Sequence, residues 1–354
     1  MNAVKKLKIF QAWLKNAGLD QKPHQLSGME FCFAREAVDK MGGVSGGIIA
    51  DEMGLGKTIL MLGTIICEKA SGGGTGQPTL VILPKALIQQ WTKIFKKFLN
   101  YTPLLFHGQN TKEITEKQLN KAVVVITTYG MISVKNAKES SSSIKNHSPL
   151  FDIKWRRVIM DEAHHMRNQN TGGFKGAMKL QKDITWLVTG TPIQNKSSDF
   201  FSLCSILGLP KASYEDIDSL QKTIRKYVLR RTKKGIGVKL PPLKTETIVV
   251  PWASLAERDL AAQIHSQTHF SDITVDNVDN IIDELTQGSL PLLVRARQVC
   301  VNPTLIKTAL KRLQRDGVVS TDIDLNHIHT NSKSEGIATH LLSRKSNGRR
   351  KIVF

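Results

Sequence analysis

Cysteine is scarce. The four present, Cys32, Cys67, Cys204 and Cys300, form no Cys-x-x-Cys pair and have no histidine nearby at a zinc spacing, which excludes a disulfide framework and a zinc site. They read as reduced packing residues of an intracellular protein. Long apolar runs are lacking too: no segment approaches the roughly 18 residues that a membrane span needs. Lys5, Lys6 and Lys8 imitate the start of a signal peptide, but IFQAWLKNAGLD breaks up too soon to be its core. The expectation is a soluble protein with no membrane partner. Acidic residues are the third deficit, 30 Asp and Glu against 50 Lys and Arg, leaving a formal charge of +20. Such an imbalance suits a polyanion, nucleic acid first, because phosphate contacts release counterions. It suits a solvated basic surface equally well.

What is present is a folding sequence. Its 354 residues, 40% hydrophobic, can bury a sizeable core and form two domains. Residues 3–17 carry Leu7, Phe10, Trp13 and Leu14 at helical spacing between lysines, predicting an amphipathic helix. Short β-branched runs then recur: GGIIA (46–50), TLVIL (79–83), AVVVITT (122–128), RRVIM (156–160) and TWLVTG (185–190). Each is apolar at consecutive positions, as strands covered on both faces are, and helical patterns lie between most of them. The fold class is therefore α/β with a parallel sheet. SGGGTGQP (71–78) and NAKESSSSIKNHSP (136–149) read as mobile surface insertions. Past residue 208 long helices are predicted over 214–234, 254–268 and 290–300, with KLPPLKTETIVVPW (239–252) an extended connector because its prolines block a helix.

A phosphate site is written into GGIIADEMGLGKTILML (46–62). Gly46 to Ala50 supplies a strand, Gly54 and Gly56 a turn whose amides can approach phosphate oxygens, Lys57 a charge and Thr58 a hydroxyl for Mg2+. A helix beginning at Lys57 points its positive end at the anion. The general pattern begins with glycine, and here that position is Asp51. In VIMDEAHHMRN (158–168) a buried strand ends in Asp161 and Glu162. That arrangement lets one carboxylate hold Mg2+ and its neighbour orient and deprotonate the attacking water. ATP and Mg2+ are the expected ligands, His164 a coupling residue, and His165 a surface neighbour. Trp91 reads as a core anchor before a base-stacking platform.

These residues resemble the superfamily-two helicase-like ATPases, specifically the Swi/Snf group of double-stranded DNA translocases. DEMGLGKT (Asp51, Glu52, Met53, Gly54, Leu55, Gly56, Lys57, Thr58) is similar to that group's P-loop. LVILPKALIQQW (80–91), VITTYGMI (125–132), DEAH (161–164) and LVTGTPIQN (187–195) resemble its following motifs in order. LRRTKK (229–234), LPPL (240–243) and VRARQVCVNPTLI (294–306) are similar to the stretches beyond its first lobe. Thr189-Gly190-Thr191 stands where a DEAH-type RNA helicase carries Ser-Ala-Thr, and Ile94 stands where the group often has Glu. The spacing is most similar to the branch holding the RING-bearing repair translocases and a transcription termination factor, on the latter's side. Between Cys300 and Ser332 too few cysteines and histidines lie for a RING, so no zinc is expected.

The resemblance implies a RecA-like P-loop lobe over 23–210, preceded by the helix of 1–22 and followed by a helical extension over 211–328. A truncated start of a second RecA-like lobe follows over 329–354, with KIVF as its first strand. By position, Gln25 would read adenine. Lys57 and Thr58 would hold phosphates and Mg2+, with Asp161 as metal carboxylate and Glu162 as base. Thr127, Thr128, Thr189, Thr191, Gln194 and Asn195 would contact DNA phosphates or couple them to the nucleotide. The run 221–244 holds nine Lys or Arg and no acid, a solvated face or a phosphate track, and beside LRRTKK the resemblance favours Arg230, Arg231 and Lys233 on DNA. The implied function is an ATPase driving chromatin remodelling, transcription termination or DNA repair. The partners are nucleosomes or stalled polymerase besides DNA, with nuclear residence if the source is eukaryotic. Without the second lobe's arginines, turnover is expected to be feeble, making the chain a truncated product, a split engine with a separately encoded second lobe, or a non-hydrolysing regulatory lobe.

Overall fold

A computed structural model describes residues 3–37, 43–70, 72, 76–134, 148–194, 196–239, 241–266, 290–329 and 331–344. Most of the two insertions expected at 71–78 and 136–149, Asn195, and the KIVF stub lie outside the described residues. The chain divides into two units, Met1–Pro241 and Pro242–Phe354.

The first unit is built on a seven-stranded sheet in the order β3-β4-β2-β5-β6-β1-β7. The strands are β1 (Gly46–Ile49), β2 (Thr79–Leu83), β3 (Leu104–Phe106), β4 (Val124–Thr128), β5 (Trp155–Asp161), β6 (Lys182–Val188) and β7 (Val228–Leu229), and every pairing is parallel. Side chains alternate along each strand and both faces are covered. Ile48, Leu80, Ile82, Val125, Val158, Met160 and Leu187 pack on one side with α5 (Gly172–Lys179) and α6 (Ser197–Leu207). Ile49, Val81, Leu83, Ile126, Ile159, Trp186 and Val188 pack on the other. There the cover is α1 (Ala3–Asn16), α2 (Pro23–Glu36), α3 (Lys57–Ala70) and α4 (Ile88–Leu99). Burial on both faces is why the strands read as continuous apolar runs. The result is the α/β fold with a parallel sheet expected from the sequence.

Parallel strands deliver their following loops to one edge, where open α/β sheets bind ligands. Since β1, β6 and β5 are neighbours, with Ile49 opposite Val188 and Asp161 opposite Val188, the P-loop, the DEAH turn and the TGTPIQ segment emerge side by side.

Two elements differ from expectation. The helix expected over 214–234 runs only over Ile217–Tyr227. Val228 and Leu229 leave it to pair with Ile48 and Ile49, closing the open edge of β1. That pairing ties the basic run to the sheet and carries the first unit past residue 210 to Pro241. The three-residue β3 is too short to show a period of its own.

A buried ion network braces the layer under α2 and α3. Arg157, with no exposure, donates through Nε and Nη2 to the Glu36 carboxylate, both at 2.7 Å, and through Nη1 to Glu68 Oε2 at 3.0 Å. Arg156 Nε meets Glu68 Oε1 at 2.6 Å, and Trp186 Nε1 donates to Glu36 Oε1 at 2.8 Å. The second unit has its own core of Leu260, Ile264, Val299, Ile306 and Leu313 among its helices. No helix among the described residues is long and apolar enough to cross a membrane.

Candidate nucleotide site

The P-loop leaves β1 at Ala50, turns through Gly54 and Gly56 at positive φ (88° and 87°), and enters α3 at Lys57. Helix geometry leaves the amides of that first turn, Lys57 and Thr58 among them, without an intrahelical acceptor, aimed where an anion would lie. Gly56 is required for space as well as φ, since a Cβ there would meet Gln25 Nε2 at 2.3 Å. Gln25, on the first turn of α2, thus lies against the phosphate turn.

Lys57 Nζ donates to the carbonyls of Asp51 at 2.8 Å and Glu52 at 3.4 Å. Burial holds its pKa below the usual lysine value, opposed by the negative charges of Glu162, Asp51, Asp161 and Glu52. Gly190 borders the same lysine: a Cβ there would stand 3.7 Å from Nζ.

Asp161 sits at the end of β5, buried, with both oxygens engaged. Trp91 Nε1 donates to Oδ2 at 2.7 Å and the Glu162 amide to Oδ1 at 3.0 Å. Burial raises its pKa, and the Trp91 bond pulls it back. The Tyr129 hydroxyl donates to the Asp161 carbonyl at 2.7 Å. Glu162 has φ of 53°, a left-handed conformation that costs a side-chain-bearing residue about 1 kcal/mol. Such strain gathers at working sites. His164 Nδ1 lies 3.3 Å from Glu162 Oε2 and 3.1 Å from Thr189 Oγ1, and burial lowers its pKa. The ring therefore links the DEAH turn to the TGT segment. His165 is exposed and stacks on His164 with centroids 4.8 Å apart.

The other sequence-derived residues divide. Thr127 is fully buried and donates to the Phe106 carbonyl at 2.8 Å, a bond internal to the sheet. Thr128 lies 3.2 Å from His107 Nδ1. Thr191 and Gln194 are exposed, and Gln194 Oε1 accepts from Arg167 Nη1. Met53 is exposed and Leu55 is buried. Of the three cations placed on DNA, Arg230 is exposed and Lys233 pairs with Glu52 at 3.5 Å. Arg231 turns inward: its Nε donates to Asp51 Oδ1 at 3.0 Å and its Nη2 to Oδ2. Asp51, expected on the nucleotide, is fully buried and gives its carboxylate to that arginine. The reason is electrostatic: a buried carboxylate needs a charged partner more than Arg231 needs solvent. Sequence reasoning missed Tyr129 and the Trp91 bond, which no spacing announces. The aspartate in place of the first P-loop glycine was a signal for its arginine.

The donor set is all oxygen, one buried carboxylate, a neighbouring glutamate and the Thr58 hydroxyl, and suits Mg2+ shared with phosphates. The profile of the SNF2-related domain matches residues 24–305. A protein described as an uncharacterized ATP-dependent helicase of Schizosaccharomyces pombe is 30% identical, the match covering 80% of this chain and 30% of that protein. A probable global transactivator of Orgyia pseudotsugata multicapsid polyhedrosis virus is also 30% identical, over 81% of this chain and 57% of its own. The DNA repair protein RAD5 of Kluyveromyces lactis is 27% identical, over 75% and 29%. The chain thus spans less than two thirds of each relative. Among solved structures, the Sulfolobus solfataricus SWI2/SNF2 ATPase core in complex with dsDNA aligns with a TM-score of 0.49 and 20% identity, covering 94% of this chain and 66% of that one. With the domain profile running across most of its length, the chain belongs to the SNF2-related domain family.

Proposed function

We propose that the first unit is the nucleotide-binding lobe of a Swi/Snf-type, ATP-dependent translocase of double-stranded DNA. The observation that carries the reading is the convergence of Lys57, Gly190, Asp161 and Glu162 at the carboxyl edge of three adjacent parallel strands. In this reading the α3 amides and Lys57 bind the β- and γ-phosphates, Gln25 reads the adenine, and Asp161 with Thr58 holds Mg2+. When bound, Mg2+ supplies charge neutralisation across the phosphate oxygens. Asp161 is held in register by the Trp91 N–H, Glu162 takes a proton from the attacking water, and His164 conveys the state of that carboxylate to Thr189. Thr191, Gln194 and the exposed Arg230 are proposed on the DNA side. The net charge of +20 supplies the phosphate affinity. The RAD5 proteins among the relatives are DNA repair proteins by name, so we place repair-linked duplex DNA, and a nucleus, first among targets and locations.

DNA-stimulated phosphate release by the chain, with Glu162→Gln as control, tests this. Stimulation abolished by the substitution supports a working ATPase. Tight MgATP binding with no release in either protein replaces it with a regulatory, non-hydrolysing lobe, and no MgATP binding at all removes the proposal.

A further inference from the structure

The segment beyond β7 does not leave the sheet at once. The Ala50 amide donates to the Leu229 carbonyl at 2.7 Å and the Glu52 amide to the Arg231 carbonyl at 2.9 Å. In return the Arg231 amide donates to Asp51 Oδ1 at 2.9 Å and the Lys233 amide to Glu52 Oε2 at 2.7 Å. Residues 229–233 therefore run beside residues 50–52, extending the β1–β7 pairing to the threshold of the phosphate turn.

From this strap the Arg231 side chain reaches two partners at once. Nε and Nη2 grip the Asp51 carboxylate, while Nη1 donates to the His24 carbonyl and lies 3.2 Å from Ser27 Oγ. The guanidinium passes over Gly28, where a Cβ would meet Nη2 at 2.9 Å. His24, Ser27 and Gly28 surround Gln25 on α2. A second tie supports the same docking: His24 Nε2 lies 3.2 Å from the Leu55 carbonyl of the P-loop.

We propose that Arg231 is a positioning residue for nucleobase reading, clamping the first turn of α2 to the P-loop so that Gln25 is held at a fixed place beside Gly56. This rests on the nucleotide-site reading above. The geometry calls for arginine: its planar fork can bind a carboxylate through two nitrogens while a third reaches a carbonyl, whereas an ammonium offers no such fork. It also accounts for Asp51 where the general P-loop has glycine, because a side chain is needed there to receive the guanidinium. Arg231 thereby leaves the set of DNA contacts.

The test is calorimetric titration of the full chain with MgATP and MgGTP, anisotropy with a DNA duplex, and thermal melts. The proteins are the unaltered chain, Arg231→Lys, the neutral pair Asp51→Asn with Arg231→Gln, and Gln25→Ala as reference. Removing the fork is expected to weaken MgATP about tenfold while MgGTP is little changed, reproducing Gln25→Ala, because a misplaced amide stops discriminating between bases. Duplex affinity should stay at the unaltered level. The neutral pair leaves no buried unpaired charge and so guards against a variant that fails to fold. An unchanged ATP-to-GTP ratio in either variant with a cooperative melt overturns the proposal in favour of a plain cross-link. Duplex affinity lost with the ATP preference kept overturns it in favour of a phosphate contact. No MgATP binding by the unaltered chain overturns the nucleotide-site reading, and this proposal with it.

Discussion

At the scale of single residues, Trp91 shows how a core side chain can brace the proposed metal carboxylate. Its ring is buried and packs near Phe95, yet its one N–H is spent on Asp161. Trp91→Phe keeps most of the apolar contact and removes that donor. A hydrogen bond to a charged acceptor is worth roughly 1.5–3 kcal/mol, but this one is already made without ligand, so its loss acts by freeing Asp161 to leave its register, and the Mg2+-dependent part of ATP affinity should fall by up to about tenfold, as calorimetry with and without the metal would show. The same bond fixes the sign of a pH effect. Burial already raises the Asp161 pKa and the Trp91 N–H opposes it, so Trp91→Phe raises it further. In the proposed function MgATP binding needs that carboxylate ionised, so it should be lost as the pH falls through that value. Its acid limb should therefore lie at higher pH in the variant, and an unmoved limb would refute the coupling.

At the scale of elements, the network around Arg157 joins α2, α3 and β5, so a change on one helix is felt by all three. Burial opposes ionisation of Glu68, but Arg157 and Arg156 outweigh it and hold its pKa below the usual 4.5. A lowered carboxylate contributes stability that is present above its unfolded value and lost as the pH falls through the folded one. Glu68→Gln should cost on the order of 2 kcal/mol at neutral pH by stranding part of a buried charge, and should flatten the decline in stability below pH 4.5. Urea titrations across that range measure both. Elements were legible in the sequence where one layer decided them: the five main strands announce two-sided burial and α3 announces itself through Lys57 and its apolar stripe. The end of the helix at Tyr227 was not legible, because Val228 and Leu229 take their conformation from β1, far away in the chain. Likewise the motifs located Lys57, Asp161 and Glu162, whereas the pairing of Asp51 with Arg231 joins residues 180 positions apart.

At the scale of the molecule, the excess of 20 positive charges sets the expected response to salt. Affinity for duplexes of unrelated sequence should fall together as ionic strength rises. Arg230→Glu, which alters one exposed cation of the run and leaves the Arg231 clamp alone, should lower all of them alike and change the log–log salt slope by about 1. Anisotropy titrations over a salt series check this, and sequence-dependent losses would contradict it. The strap of residues 229–233 has a mechanical consequence. It runs parallel to β1, so tension on the chain beyond Lys233 loads its backbone bonds to residues 50–52 in shear, all together, and does not peel them apart singly. Force arriving from that side is delivered to the mouth of the phosphate turn before the strap yields.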